Sequence, residues 1–113
     1  MGFSAYQEII EFGPSVTLNG TTSAAYDLAG YTLVGIRTSS SMLSTQLTFT
    51  SAERSTGTYL PLRDVANNQI GVIIGTTATQ FALDPLNFTG VRHVKIVSSA
   101  TDNTTLGLVL RPV

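Results

Sequence analysis

Cysteine is absent from this chain, which removes disulfide staples, thiolate metal sites and cysteine nucleophiles together and leaves the redox compartment open. Stability therefore has to come from packing. Charge is also scarce: Asp, Glu, Lys and Arg make up 12% of the 113 residues, about half the usual share. The single lysine, Lys95, and five scattered arginines leave a net charge of −1 and form no basic footprint for a phosphate backbone, so nucleic acid is not an expected partner. No apolar run is long enough to cross a bilayer, and no membrane partner is expected. The start, Met1-Gly2-Phe3-Ser4, lacks a basic segment followed by an apolar one, so the expectation is a chain made in a cytoplasm without a secretory signal.

Threonine and serine, 17 and 11 residues, fill the gap left by charge. They give a polar, nearly uncharged surface that suits close packing against neighbours. The length fits one domain with one core.

No helical stripe competes with the period-2 segments, which recur every eight to twelve positions between turn residues. Leu47 and Phe49 alternate with Gln46, Thr48 and Thr50. Ile70, Val72 and Ile74 share a face, as do Phe81 and Leu83, Val94 and Ile96, and Leu106, Leu108 and Leu110. Val16 and Leu18 lead into Asn19-Gly20, a strong hairpin signal. Tyr26 and Leu28 lead through Gly30 into a strand over 31–37. Leu60 and Leu62 are placed inward on either side of Pro61, which puts their strand at an edge. Residues 98–103 read as a hairpin loop and Ser39, Ser40 and Ser41 as a loop tip. The stretch from Asp84 to Gly90 reads as a structured connection, with Phe88 plugging one end of the core. The expected fold is all-β: a two-sheet antiparallel β-sandwich, jelly-roll-like, of about nine strands.

The N-terminal run is less regular, since Tyr6, Ile9, Ile10 and Phe12 follow neither period. Residues 1–13 are read as a first strand or a docking arm, with those four as the candidate interface, and 14–113 as a single β-sandwich domain.

The chain offers little to build a reaction from. His93 is the only histidine and its neighbours on the strand face are Val91, Lys95 and Val97, so a surface imidazole is the expectation and no catalytic residue is assigned. Only Glu8 and Glu11 form a locally spaced acid pair, and they fall in the irregular N-terminal run. Asp84, Asp102 and Asn103 carry oxygens that suit calcium, but turns explain them and no regular calcium loop is present. Gly71 and Gly75 border an apolar strand with no helix after it, so they mark a bulge or strand end, not a phosphate loop. The triplets beginning at Asn19, Asn87 and Asn103 match the glycosylation pattern, which a threonine-rich chain produces by chance. No metal or cofactor is expected. Tyr31 and Tyr59 are the candidate platform for a sugar ring, against the plainer reading of cross-strand packing.

Two stretches carry a resemblance. Ala25-Tyr26-Asp27-Leu28-Ala29-Gly30-Tyr31-Thr32-Leu33-Val34-Gly35-Ile36 with Leu47-Thr48-Phe49 is one. Phe81-Ala82-Leu83-Asp84-Pro85 through Gly90-Val91-Arg92 to Leu108-Val109-Leu110-Arg111-Pro112-Val113 is the other. Together they span most of residues 24–113 and resemble small virion-associated β proteins of tailed bacteriophages, which often serve as capsid decoration (cement) proteins or as modules of head and tail fibres. The motifs are framework residues, so no functional residue is carried over. The resemblance implies a structural, non-enzymatic protein on the capsid surface of the virion. Its partner would be the major capsid protein, and it would be a homo-oligomer, a trimer at local three-fold positions. The alternative is a glycan-binding or adhesion module of a phage head or tail fibre, using Tyr31 and Tyr59.

Overall fold

The structure, a computed structural model, describes residues 11–75 and 78–112, with side chains from residue 15 onward. Its strands are β1 (Glu11–Thr22), β2 (Tyr26–Asp27), β3 (Tyr31–Arg37), β4 (Gln46–Ala52), β5 (Leu60–Pro61), β6 (Gly71–Ile73), β7 (Gln80–Ala82) and β8 (His93–Pro112), with a 3₁₀ helix at Pro85–Phe88 before β8. The all-β expectation holds. The boundary expected between residues 13 and 14 falls inside β1.

The eight strands belong to one antiparallel sheet with a central path β5-β4-β8-β3-β7; β1 and β2 also pair with β8, and β6 with β4. Among the described residues there are therefore eight strands in a single ladder, curled into a half-barrel, where alternation had suggested nine strands in two stacked sheets of jelly-roll type. The difference comes from β8. Its 20 residues keep even-numbered side chains inward from Val94 to Leu110, and it pairs with four other strands. β1 and β3 flank its C-terminal half, while β2 and β4 flank its N-terminal half.

β8 has to fold back on itself. Asp27 at the end of β2 lies opposite His93, and Tyr31 at the start of β3 lies opposite Pro112. The four steps between them cover at most about 14 Å, whereas a straight strand of that length would run about 65 Å. The longest dimension of the molecule is 46 Å.

The bend falls where backbone partners run out on one side. β3 pairs with β8 as far as Gly107 and β4 takes over at Ser98, leaving 99–106 to side chains. Ser99 Oγ accepts from the N–H groups of Thr45 (3.0 Å) and Gln46 (3.1 Å). The Asp102 carboxylate accepts from the N–H of Leu43 (2.6 Å) and of Ser44 (3.2 Å), and from the Ser44 hydroxyl. The Thr104 and Ser39 hydroxyls bond at 2.6 Å. Residues 98–103 are thus a bent part of β8, not a hairpin loop, and Ser39 to Ser41 are tied down to it. Buried polar groups have to be satisfied, and here that need converts a serine-rich loop into a brace.

The inward face gathers Leu18, Leu33, Ile36, Leu47, Phe49, Ile96, Leu106, Leu108 and Leu110, all buried, into one core. Phe88 closes one end, as its sequence context implied, with its ring edge-on to Phe49 at 5.1 Å and 85°. It is held there by the 3₁₀ helix, which Asp84 caps by accepting from the Leu86 N–H at 3.0 Å. Asn19-Gly20, expected as a hairpin turn, lies inside β1 instead, with Asn19 opposite Asn103 and Gly20 opposite Asp102. The ladder shifts register just after Gly20, whose φ of +105° is a conformation glycine adopts without steric cost. β5, containing Pro61, lies at the end of the central path, as expected of an edge. Leu62 packs against the core, but Leu60, expected inward, is 62% exposed, because at the sheet's edge only β4 stands beside it.

Candidate functional site

β4 ends at Ala52 and the chain loops through Glu53, Arg54 and Gly57 before returning as β5. That loop stands beside the segment Val91-Arg92 which enters β8. Between them lies an open groove of about 390 Å³, lined among others by Ala52, Glu53, Arg54, Leu60, Val91 and Arg92, at the lower end of the range typical of ligand pockets. Leu60, mostly exposed, and Val91, half-buried against the core, make it partly apolar.

The charges around the groove are arranged unequally. Arg92 is spent on Asp27 of β2, its Nε to Oδ1 at 2.6 Å and an Nη to Oδ2 at 3.1 Å. This paired geometry and the Ala29 N–H pull the Asp27 carboxyl down to about 2. Lys95 places its ammonium 4.3 Å from the centre of the Tyr59 ring, a cation–π contact, and the Tyr59 hydroxyl donates to the Ser55 carbonyl at 3.0 Å. Glu53 and Arg54 are exposed, and among the described residues neither side chain has a hydrogen-bonding partner. Among the described residues the groove thus presents one acid and one guanidinium without a hydrogen-bonding partner, beside the apolar side chains of Leu60 and Val91.

The residues singled out from the sequence are not gathered there. Tyr6, Ile9 and Ile10 lie outside the described residues. The backbone of Phe12 pairs with Val109 in β8, and its side chain lies outside them too. Tyr31, on β3 opposite Pro112, packs half-buried against the core. Tyr59 is half-buried with Lys95 on its face, and neither tyrosine lines the groove. His93 is paired between Asp27 and Ala52. Asp84 caps the 3₁₀ helix, and Asp102 sits buried in the bend of β8. Burial pushes the Asp102 carboxyl upward, but the donors from Ser44 and Leu43 outweigh it and leave the group below the ordinary carboxylate range. Among the described residues no three of His, Asp and Glu come together as a metal-ligating group.

The groove itself had not been legible. Its residues come from positions 51–60 and 91–92 and meet only because β4 and β8 pair in register, Ala52 opposite His93. A second feature also escaped the sequence reading: an acidic turn at Asp64 whose carboxylate accepts from the N–H groups of Ala66 and Asn68, each at 2.9 Å. Asp-x-x-Asn between two strands was its available signal.

No family model matches the chain, and no curated protein matches it by sequence. The fold is similar to that in the crystal structure of the SPBc2 prophage-derived protein YomS, with a TM-score of 0.56 over 90% of this chain and 95% of that one, at 15% sequence identity.

Proposed function

We propose that this chain is a structural, non-enzymatic component of a bacteriophage particle, a capsid decoration protein that binds the major capsid protein of the assembled head. The observation that carries the reading is the near end-to-end likeness of the fold to a prophage-derived protein. The resemblance of residues 24–113 to virion-associated β proteins points the same way from a different direction. The scarcity of charge supports it physically, because a protein held between shell subunits desolvates its surface, and burying unpaired charge costs several kcal/mol.

The mechanism would be linkage. A protein that binds the closed shell and not its dissociated subunits stabilises the shell by the free energy of that binding, summed over its copies. The test is to delete the gene from the phage that encodes it and compare purified particles. Mass spectrometry should find the chain in wild-type particles, and those lacking it should release DNA at a lower temperature or after milder osmotic shock. Particles that never contain the chain, or whose stability is unchanged without it, refute the proposal.

A further inference from the structure

Of the five large apolar side chains left exposed among the described residues, three, Leu60, Val65 and Ile73, belong to one segment. β5 pairs with Ser51 and Thr50 of β4, and the Leu62 N–H reaches the Phe49 carbonyl at 2.9 Å. The chain then leaves β4. Ile70 N–H donates to the Leu62 carbonyl (3.0 Å), Arg63 bridges to Gln69, and Asp64 N–H donates to the Asn68 carbonyl (2.9 Å). It rejoins β4 at Gly71, opposite Thr48. Residues 62–70 are therefore a hairpin that projects from the β4 edge.

The tip of that hairpin is stiff and apolar. Asp64 accepts from Ala66 and Asn68, and an Arg63 Nη donates to the Asn67 carbonyl at 3.0 Å. Asn67 N–H closes the turn on the Asp64 carbonyl, with Asn67 at φ +68°, which asparagine tolerates better than most residues. At its summit stands Val65, fully exposed, followed by Ala66. A rigid turn cannot tuck its valine away by local collapse, so water is removed from it only by another surface.

The groove beside Leu60 and Val91 has the chemistry to receive this tip. It is concave and partly apolar, and among the described residues its ions without a hydrogen-bonding partner are the neighbours Glu53 and Arg54; the hairpin carries the neighbours Arg63 and Asp64 beside Val65, an opposite charge for each. We infer that the Val65 hairpin of one copy docks in the Leu60–Val91 groove of a second copy, with Arg63 and Asp64 meeting Glu53 and Arg54. Knob and groove are different patches, so the contact is head-to-tail, and such contacts close into rings when the rotation allows.

The test uses the purified full chain and needs no phage particle, so it can fail while the decoration role stands, and the reverse. Val65→Asp removes the knob, and Leu60→Glu obstructs the groove. Both residues are exposed, so circular dichroism should show wild-type folding for each. By light scattering at about 100 µM the wild type should be an oligomer and each variant a monomer. An equal mixture of the two variants should form a one-to-one heterodimer, because the groove of the Val65→Asp chain and the knob of the Leu60→Glu chain are both intact. A monomeric wild type, a Val65→Asp chain that assembles as the wild type does, or a mixture that stays monomeric would each overturn the inference.

Discussion

Replacing Asp102 tests the account of how β8 bends. Asp102 is 2% exposed, and its carboxylate receives three donors from the strap that connects β3 to β4, the N–H groups of Leu43 and Ser44 and the Ser44 hydroxyl. Asp102→Ala strands the two backbone donors, while the hydroxyl keeps a partner in the Ala100 carbonyl at 3.3 Å. A buried donor left unmade costs about 1–3 kcal/mol; the Ser44 N–H is buried and the Leu43 N–H only partly so, so the loss should be about 1–4 kcal/mol. Each kcal/mol is worth roughly 4 °C in a domain of this size, and urea unfolding should agree with the melting curve. Because the folded-state pKa of Asp102 lies below the ordinary carboxylate value, its ionised form stabilises the fold above the unfolded pKa of 3.8, and that contribution is lost as pH falls through the folded value. The gap between wild type and Asp102→Asn, whose side chain does not titrate, should therefore be widest near neutrality and shrink in acid. A loss under about 1 kcal/mol for the alanine variant, smaller than a single stranded donor, or a gap independent of pH, would refute the view that this carboxylate braces the bend.

Two further substitutions probe the packing that sets the sheet. At Gly71 an added Cβ would lie 2.2 Å from the Leu47 carbonyl oxygen, so Gly71→Ala must push β6 off β4 and should cost about 1–3 kcal/mol; urea denaturation with an unchanged m-value and a lower midpoint is the expected result. Phe88→Ala empties the end of the core next to Phe49 and should cost about 3–5 kcal/mol, read as a lower melting temperature.

The alternation of Leu47 and Phe49, of Val94 and Ile96, and of Leu106, Leu108 and Leu110 was legible because each strand face is a local property with period 2. Phe88 could be placed for a similar reason: Asp84-Pro85 starts a short turn, and the next large apolar side chain has to go inward. The bend of β8 was not legible. Ser98, Ser99, Asp102 and Asn103 are turn-forming residues by type, and nothing local says that the side chains of Ser99 and Asp102 bond to Leu43, Ser44, Thr45 and Gln46 more than fifty positions away. The groove failed to appear for the same reason, since residues 51–60 and 91–92 are neighbours only through a ladder.

What the amino-acid order determined unaided is the inward face of most strands, and that strands and not helices carry it. Tertiary structure alone decided that these strands share one curled sheet, and that a hairpin projects from its edge near a groove. The physical reason is range. Side-chain alternation and turn preference are set by neighbours in the chain, whereas the curl depends on β8 exchanging backbone partners for side-chain ones at Ser99, Asp102 and Thr104, and those partners are brought to it only by the fold.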